Sequence, residues 1–337
     1  MLARVSNLYS ENGQTIKTPI LIPSFSSKGW PFKKKSTGDE YSEVKEIIEW
    51  TTEFTTEAVL FSAYDLYYKH YPGPNELGEI ADVIFIDSGG YEKLEDHDLS
   101  SVYRMPWPSK EWDIDKLRVT LSAIPKEYNI VIANYDDVKQ PKPIKSQVQE
   151  AKVFFAEYPH YLNDILIRKE TKTQDFIQLE SVIANISLFR EFDIIGLTEK
   201  ELGSSLIERM EKIARIRTAL DNENINSPLH IFGSLDPISS CLYFISGAEI
   251  FDGLTWLRYA YINGVATYNE NFRFLKQDLK EKYQSSLKFI YHNNLMAIGK
   301  LCDEMILYAR DGNFEHFTYH SKELQNSFNR LRAQLGG

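Results

Sequence analysis

The chain has 337 residues, 43% of them hydrophobic, and a formal net charge of −10. This length suits two ordinary domains or one large α/β barrel, and the acidic balance excludes a global positive field, so any nucleic-acid surface must be local. The cysteines, Cys241 and Cys302, exclude a disulfide framework, and the sequence shows neither a signal-peptide core nor a membrane-spanning apolar run, so we expect a soluble cytoplasmic protein.

Short runs rich in valine, isoleucine, leucine and phenylalanine recur along the chain and predict strands. Their apolar residues are continuous, which is typical of strands buried on both faces of a parallel sheet. In chain order the predicted strands are Pro19–Phe25, Ala58–Tyr64, Val83–Ser88, Asn129–Asp136, Asp164–Glu170, Asp193–Glu199, Leu229–Ser234 and Glu249–Thr255.

Helical patterns fill most gaps between these strands, as in Glu43–Phe54 and Ser204–Leu220, where apolar residues repeat at helical spacing. Alternating strands and helices predict a (β/α)8 TIM barrel, for which we expect residues 1–270. An open doubly wound sheet is the alternative, but no glycine-rich dinucleotide turn follows the first strand. Residues 271–337 are predicted to form a helical extension packed on the outside of the barrel.

The predicted strands end in polar residues. In a barrel such positions converge on the rim that holds the active site. Polar residues also simply mark strand ends, but aspartates that follow wholly apolar strands favour a functional role. The residues concerned are Ser62, Asp87, Asp136, Arg168, Thr198, Ser234 and Asp252.

Asp87 and Asp252 are the strongest candidates for catalysis. Converging carboxylates suit glycosyl chemistry, in which one attacks an anomeric carbon and the other transfers protons. Gly89 and Gly90 permit a tight turn that a flat ligand can approach, and Tyr91 could stack on that ligand. An ordinary turn in which Asp87 or the neighbouring serine caps the next helix explains the same letters equally well.

Several motifs together resemble the tRNA-guanine transglycosylase family. In the family's order, from Thr18 to Arg258, they are "TPILIPSF", "VLFSAYDLYYKHYPG", "IDSGGYE", "NYDDVKQP", "IIGLTEKELG" and "GAEIFDGLTWLR". The motifs that contain Asp87 and Asp252 are the most specific, and the middle ones are weaker.

The resemblance implies a TIM barrel that exchanges guanine in nucleic acid for a 7-deazaguanine, such as preQ0 or preQ1. Matching residue by residue, Asp252 would be the nucleophile of a covalent aspartyl-glycosyl intermediate, and Asp87 the general acid and base. The match implies a stacking role for Tyr91. The other implied substrate-binding residues are Ser88, Gly89, Gly90, Asp136 at the base's guanine-like edge, Gly196 and Leu197 through their backbone, and Arg258 beside the target nucleotide.

The chain departs from the family pattern in three places. The family's cysteine-rich zinc motif is missing after the last strand, where His292 would be the relic of a ligand, so we expect no zinc and no other cofactor. Tyr261 stands where the family has a second arginine. The family's glutamine near the fifth strand has no clear counterpart, although Arg168 or Lys169 lies nearby.

The family also has a branch that modifies DNA, and the altered loop and lost metal motif favour DNA slightly over tRNA. The basic stretches Lys33–Lys35 and Lys139–Lys145 follow rim strands and suit a phosphate track, or are solvated loop charge. A nucleic-acid N-glycoside hydrolase with the same carboxylates and a non-catalytic accessory subunit are the rival functions. Expected partners are nucleic acid, the base, and a second copy of the chain or accessory modification proteins, with no membrane.

Overall fold

The molecule is built on a closed barrel of eight parallel strands, which confirms the predicted fold class. The computed structural model describes residues 2–34, 38, 40–55, 57–93, 109–137, 139–276, 280 and 283–336. Each barrel strand pairs with the next one along the chain, and the last closes on the first. The strands are β1 (Ile20–Phe25), β2 (Ala58–Ser62), β3 (Val83–Asp87), β4 (Asn129–Ala133), β5 (Leu162–Ile167), β6 (Ile194–Thr198), β7 (Leu229–Phe232) and β8 (Ile250–Gly253).

Every predicted strand is present, although several are shorter at their carboxyl ends. Strand β4 ends at Ala133, so Asp136 lies in the loop that follows. Arg168 and Ser234 likewise come just after β5 and β7. These positions remain on the rim, because the carboxyl ends of parallel strands meet at one end of a barrel.

Helices surround the barrel. The predicted helix at Glu43–Phe54 is an α-helix followed by a short 3₁₀ segment, Thr52–Phe54, and the one at Ser204–Leu220 begins and ends two residues later. The helices are α1 (Glu43–Thr51), α2 (Ala63–Tyr67), α3 (Gly90–Lys93), α4 (Ile114–Ser122), α5 (Ile144–Phe155), α6 (Leu179–Ala184), α7 (Glu199–Leu202), α8 (Leu206–Asn222), α9 (Pro237–Ile245), α10 (Thr255–Arg258), α11 (Asn269–Leu275), α12 (Tyr283–Asp311) and α13 (Ser321–Gln334).

Apolar side chains form a layer inside the barrel and a second layer between the strands and the helices. Along β1, Ile20 and Ile22 belong to the inner layer, whereas Leu21 and Phe25 belong to the outer one. This alternation follows from the period of two along a strand. A hairpin of Asn7–Tyr9 and Thr15–Lys17 contributes Leu8 and Ile16 to the inner layer, next to the first residues of the strands.

The C-terminal region is helical, as predicted. Helix α12 contacts β1, α1 and α9, and α13 contacts α8 and α9. Both helices therefore pack on the outside of the barrel. The boundary at residue 270 stays a prediction. In the part of the chain that the structure describes, no helix is both long and apolar enough to cross a membrane.

Candidate active site at the carboxyl ends of the strands

The polar residues at the carboxyl ends of β1, β2, β3, β6 and β8 continue the inward-facing rows of these strands. Each lies two or four residues after an apolar side chain of the barrel interior, so the same alternation that buries the core also points the last side chain toward the barrel axis. The inward-facing positions at the carboxyl ends are Ser24, Ser62, Asp87, Thr198 and Asp252.

Asp252 is buried near the end of β8 and its carboxylate accepts hydrogen bonds from three groups. The Ser24 hydroxyl donates to Oδ2 over 2.8 Å, and the backbone N–H of Gly233 donates to Oδ1 over 3.0 Å. His230 Nε2 lies 3.2 Å from the same Oδ1. The donors come from β1, β7 and the turn after β7, so the barrel itself fixes the carboxylate.

His230 connects Asp252 to a second buried carboxylate, that of Asp164 on β5. Its Nδ1 lies 2.6 Å from Asp164 Oδ2, and neither side chain is appreciably exposed. The imidazole stacks on Phe232, with ring centres 3.9 Å apart, and Phe85 packs against it edge-on. Asp164, His230 and Asp252 thus form one chain of contacts across the inside of the barrel.

The two carboxylates on either side of His230 favour its protonated form. Burial alone would lower the pKa of the His230 imidazole, but the Asp164 and Asp252 carboxylates outweigh it and raise that pKa to about 9. Burial raises the pKa of the Asp164 carboxyl, and the adjacent imidazolium offsets part of that rise. At neutral pH the imidazolium compensates a buried carboxylate that would otherwise be costly.

Asp87, at the end of β3, has the properties of a group that exchanges a proton near neutral pH. Burial, followed by the neighbouring Asp136 and Asp252 carboxylates, raises the pKa of Asp87 to about 7. The backbone N–H of Gly89 donates to its Oδ2 over 3.2 Å. A carboxyl group with this pKa is suited to general acid–base catalysis.

The turn after Asp87 is shaped by the protein's own side chains. Gly89 has φ of +84°, and a Cβ there would lie 2.7 Å from Trp112 Nε1. The same indole nitrogen donates to the Ser88 carbonyl over 2.7 Å, and the Ser88 hydroxyl donates to Asp136 Oδ1 over 2.9 Å. A Cβ on Gly90 would lie 3.0 Å from that oxygen. Backbone conformation and packing therefore require glycine at position 89, whether or not a ligand lies against the turn, whereas a side chain at position 90 would press on the Asp136 carboxylate.

Tyr91 is held between two cationic side chains. The Lys28 ammonium lies 4.3 Å from the centre of the Tyr91 ring and donates to the Tyr91 carbonyl over 2.8 Å. Arg258 Nη2 donates to the Tyr91 hydroxyl over 2.9 Å. The structure therefore brings Tyr91 and Arg258 together, although their motifs are far apart in the sequence.

Asp136 faces an arginine. Arg168 Nη1 lies 3.2 Å from Asp136 Oδ2 without hydrogen-bond geometry, and its Nη2 pairs with Glu201 at 2.9 Å. Arg168 Nη1 also donates to the Thr198 hydroxyl over 3.3 Å. Asp136, Arg168 and Glu201 line a pocket that opens between the loops after β4 and β5.

Gly196 and Leu197 lie within β6, and the structure gives them clear packing roles. The side chain of Leu197 belongs to the outer core. A Cβ on Gly196 would lie 2.5 Å from the Phe232 ring and 2.8 Å from Asp164 Oδ1. Gly196 therefore makes room for the Asp164–His230 contact. The backbone contacts to a base that the resemblance implies for this pair stay a prediction.

Glu92 is a further buried acid next to the site. Its carboxyl group accepts hydrogen bonds from the hydroxyls of Ser26 and Ser62. Burial, followed by the Asp65 and Asp87 carboxylates, raises the pKa of Glu92 to about 8. Asp87 and Glu92 are therefore neighbouring buried carboxyl groups whose pKa values lie near neutral pH.

No protein-family model matches this chain, and no curated protein matches it. The geometry of the site and the sequence motifs are therefore the basis for its function.

The contacts of the histidines in the C-terminal helical region are with different partners. His292 packs on the Phe54 ring, His316 pairs with Asp311, and the His320 ring contacts the Asn263 carbonyl. Among the residues that the structure describes, no group of three or more histidine, cysteine, aspartate or glutamate side chains is arranged to hold a metal ion.

Tyr261, which stands where the family has a second arginine, is buried in the core, and its hydroxyl donates to the Leu235 carbonyl over 2.5 Å. It therefore cannot replace an arginine at a nucleic-acid surface without a local rearrangement.

The basic stretches differ in how far their charges are neutralised. Lys33 pairs with Glu46 at 2.7 Å, Lys34 pairs weakly with Glu40, and Lys35 lies outside the described residues. In the second stretch Lys142 pairs with Glu150, whereas Lys139 and Lys145 are exposed. The loop after β4 is therefore the better candidate for a phosphate contact.

The sequence motifs located Asp87 and Asp252 but missed Asp164, His230 and Glu92. For Asp164 and His230 a signal was present. Each is a polar residue two positions before an apolar inward-facing residue, Leu166 and Phe232, in an otherwise apolar strand. The period of two therefore places both inside the barrel, although it does not show that they meet.

Proposed function

We propose that this protein is a glycosyltransferase that exchanges guanine for a 7-deazaguanine base in nucleic acid, with DNA slightly favoured over tRNA. One observation carries the proposal. Asp252 is a fixed carboxylate with three hydrogen-bond donors, and it lies near Asp87, whose pKa is about 7. A nucleophilic carboxylate beside a carboxylic acid is the pair that a double displacement at an anomeric carbon requires.

The two carboxyl groups have different tasks in this reaction. Asp252 attacks the anomeric carbon while the bond to the guanine nitrogen breaks, and protonated Asp87 gives its proton to the departing base. Ionised Asp87 then takes a proton from the incoming base, whose nitrogen attacks the same carbon and releases Asp252. Since the first step needs the protonated acid, its rate should fall as the pH rises above about 7.

The neighbouring side chains suit a flat, guanine-like base. Tyr91 offers an aromatic face, and a carboxylate such as Asp136 can accept two N–H groups from the amidine edge of guanine. In the structure Asp136 already accepts from Ser88 and faces Arg168. Binding the base at Asp136 therefore requires Arg168 to turn toward another acceptor, and the carbonyl oxygen of the base is one.

The nucleic acid itself would lie across the rim. Arg258 stands beside Tyr91, and the exposed Lys139 and Lys145 follow β4. Such cations contact phosphates without reading sequence, which matches a protein whose positive surface is local. A target base inside a duplex must also leave the stack before the anomeric carbon becomes accessible.

The test is uptake of radiolabelled guanine into tRNA and into duplex DNA in parallel reactions, with Asp252→Asn as the control. We expect label in one polymer with the wild-type protein and none with the variant. Abasic sites without label would instead support the hydrolase that uses the same carboxylates. Binding of nucleic acid with neither product would support an accessory subunit.

A further inference from the structure

The buried pair of Asp164 and His230 has no role in the chemistry described so far. Both residues lie inside the barrel behind the nucleophile rather than on the open rim. We propose that Asp164 and His230 are a positioning pair, which holds Asp252 with both lone pairs of Oδ1 occupied and one lone pair of Oδ2 available for attack, and which keeps a positive charge against the carboxylate. This inference rests on the proposed function, because it names the atom and the supporting residues of that reaction.

When both carboxylates are ionised, the two contacts of the imidazole determine its charge. Nδ1 and Nε2 face carboxylate oxygens of Asp164 and Asp252 at 2.6 and 3.2 Å. An ionised carboxylate only accepts hydrogen bonds, and a neutral imidazole carries a single N–H. Neutral His230 would therefore turn a lone pair toward one of the two carboxylates. The imidazolium is the form that satisfies both contacts.

The same contacts divide the two oxygens of Asp252. Oδ1 receives the imidazolium N–H of His230 and the backbone N–H of Gly233, which use both of its lone pairs. Oδ2 receives only the Ser24 hydroxyl among the described residues. One lone pair of Oδ2 is left, and this pair forms the bond to the anomeric carbon while the electrons of the broken glycosidic bond leave with the base.

The positive charge acts in the second half of the reaction. When the incoming base attacks, the bond between the anomeric carbon and Oδ2 breaks and its electron pair returns to the carboxylate. A charged donor already in place stabilises that developing anion without reorganisation. Asp164 in turn compensates the buried imidazolium, and the missing side chain of Gly196 leaves the space that Asp164 Oδ1 occupies.

The first test uses the titration of His230, which does not depend on activity. Among the described residues, Asp164 from β5 and Asp252 from β8 are the charged groups that contact the imidazole. Nitrogen-15 spectra of the histidine side chains, assigned with His230→Gln, should show both ring nitrogens of His230 protonated at neutral pH. Asp164→Asn and Asp252→Asn should each move the titration to lower pH. A neutral His230, or a titration that Asp252→Asn leaves unchanged, would overturn the proposal.

The second test measures base exchange. Asp164→Asn should lower kcat by about 100-fold and leave KM for the nucleic acid within about threefold, because the pair acts on the nucleophile and not on binding. His230→Gln, which keeps a donor but no charge, should lose less than His230→Leu. The control is Ile165→Val, the outward neighbour of Asp164 on the same strand. Equal kcat in Asp164→Asn and wild type would contradict the positioning role.

The two tests also separate this inference from the proposed function. If the wild-type protein exchanges no base in any polymer, the proposed function is wrong, and the titration still decides whether the pair holds Asp252. If the wild type is active and the titration shows a neutral His230, the function stands and the positioning pair is wrong.

Discussion

Replacing Asp87 by asparagine should stabilise the protein at neutral and alkaline pH while removing its activity. The carboxyl group has a pKa of about 7 in the folded chain, compared with the ordinary value of 3.8. The folded state therefore holds a proton that the unfolded state releases, so this group makes stability fall as the pH rises from about 4 to about 7. The carboxamide of the variant is neutral throughout and has no such dependence.

The size of the effect follows from the shift. At about 1.4 kcal/mol per pKa unit, the raised pKa of Asp87 costs up to about 4 kcal/mol above pH 7, where the carboxyl group is ionised in both states, and about 2 kcal/mol near pH 5, where the folded state keeps the proton. The first figure is an upper bound, because the neighbouring carboxylates that contribute to the shift also relax. We therefore predict that the stability gained by Asp87→Asn grows with pH between these values.

The assay is urea denaturation of the wild-type protein and Asp87→Asn between about pH 5 and pH 8, with unfolding monitored by tryptophan fluorescence. Asp175→Asn, a change at an exposed carboxyl group, is the matched control and should give a difference that does not vary with pH. If the difference between Asp87→Asn and wild type were constant across this range, or if the variant were less stable at pH 8, the buried and proton-binding character of Asp87 would be refuted.

The remaining predictions concern the base, the packing and the metal. Tyr91→Phe should keep guanine affinity within about threefold, because the ring remains, whereas Tyr91→Ala should lose about tenfold or more by calorimetry; unchanged affinity in Tyr91→Ala would remove the stacking role. Gly196→Ala should lower the free energy of unfolding by about 2 kcal/mol or more in denaturation experiments, because the new methyl group meets Phe232 and Asp164. Unchanged stability would show that these side chains can move to accommodate the methyl group. Elemental analysis of the purified protein should find no stoichiometric zinc, and one zinc per chain would contradict the expected loss of the metal site.

The sequence was sufficient for the fold because the barrel strands are recognisable from local patterns. Runs such as Val83–Asp87 and Ile194–Thr198 are almost wholly apolar, and helical patterns separate them. A strand buried on both faces needs little else to be recognised. The positions where strands end were harder to predict, as at Asp136, which lies in the loop after β4. A polar residue after an apolar run can be the last residue of the strand or can lie a few residues beyond it.

The site was predictable only in part, because contacts between strands depend on register. Asp87 and Asp252 were found through their motifs and their positions at strand ends. The meeting of Asp164 with His230 depends on β5 and β7 lying on either side of β6, where Gly196 leaves room for both. Lys28 was missed for a similar reason, since its contact with Tyr91 joins the segment after β1 to helix α3. No local pattern encodes such distances.

The most direct test of base exchange through Asp252 is to trap and locate the covalent intermediate. The protein would be incubated with the polymer that takes up guanine, denatured, digested with protease and nuclease, and examined by mass spectrometry. We predict a pentose-linked adduct on the peptide that contains Asp252, lost when excess guanine is added before denaturation and absent in Asp252→Asn. An adduct that persists in Asp252→Asn, or that maps to another residue, would contradict the central claim.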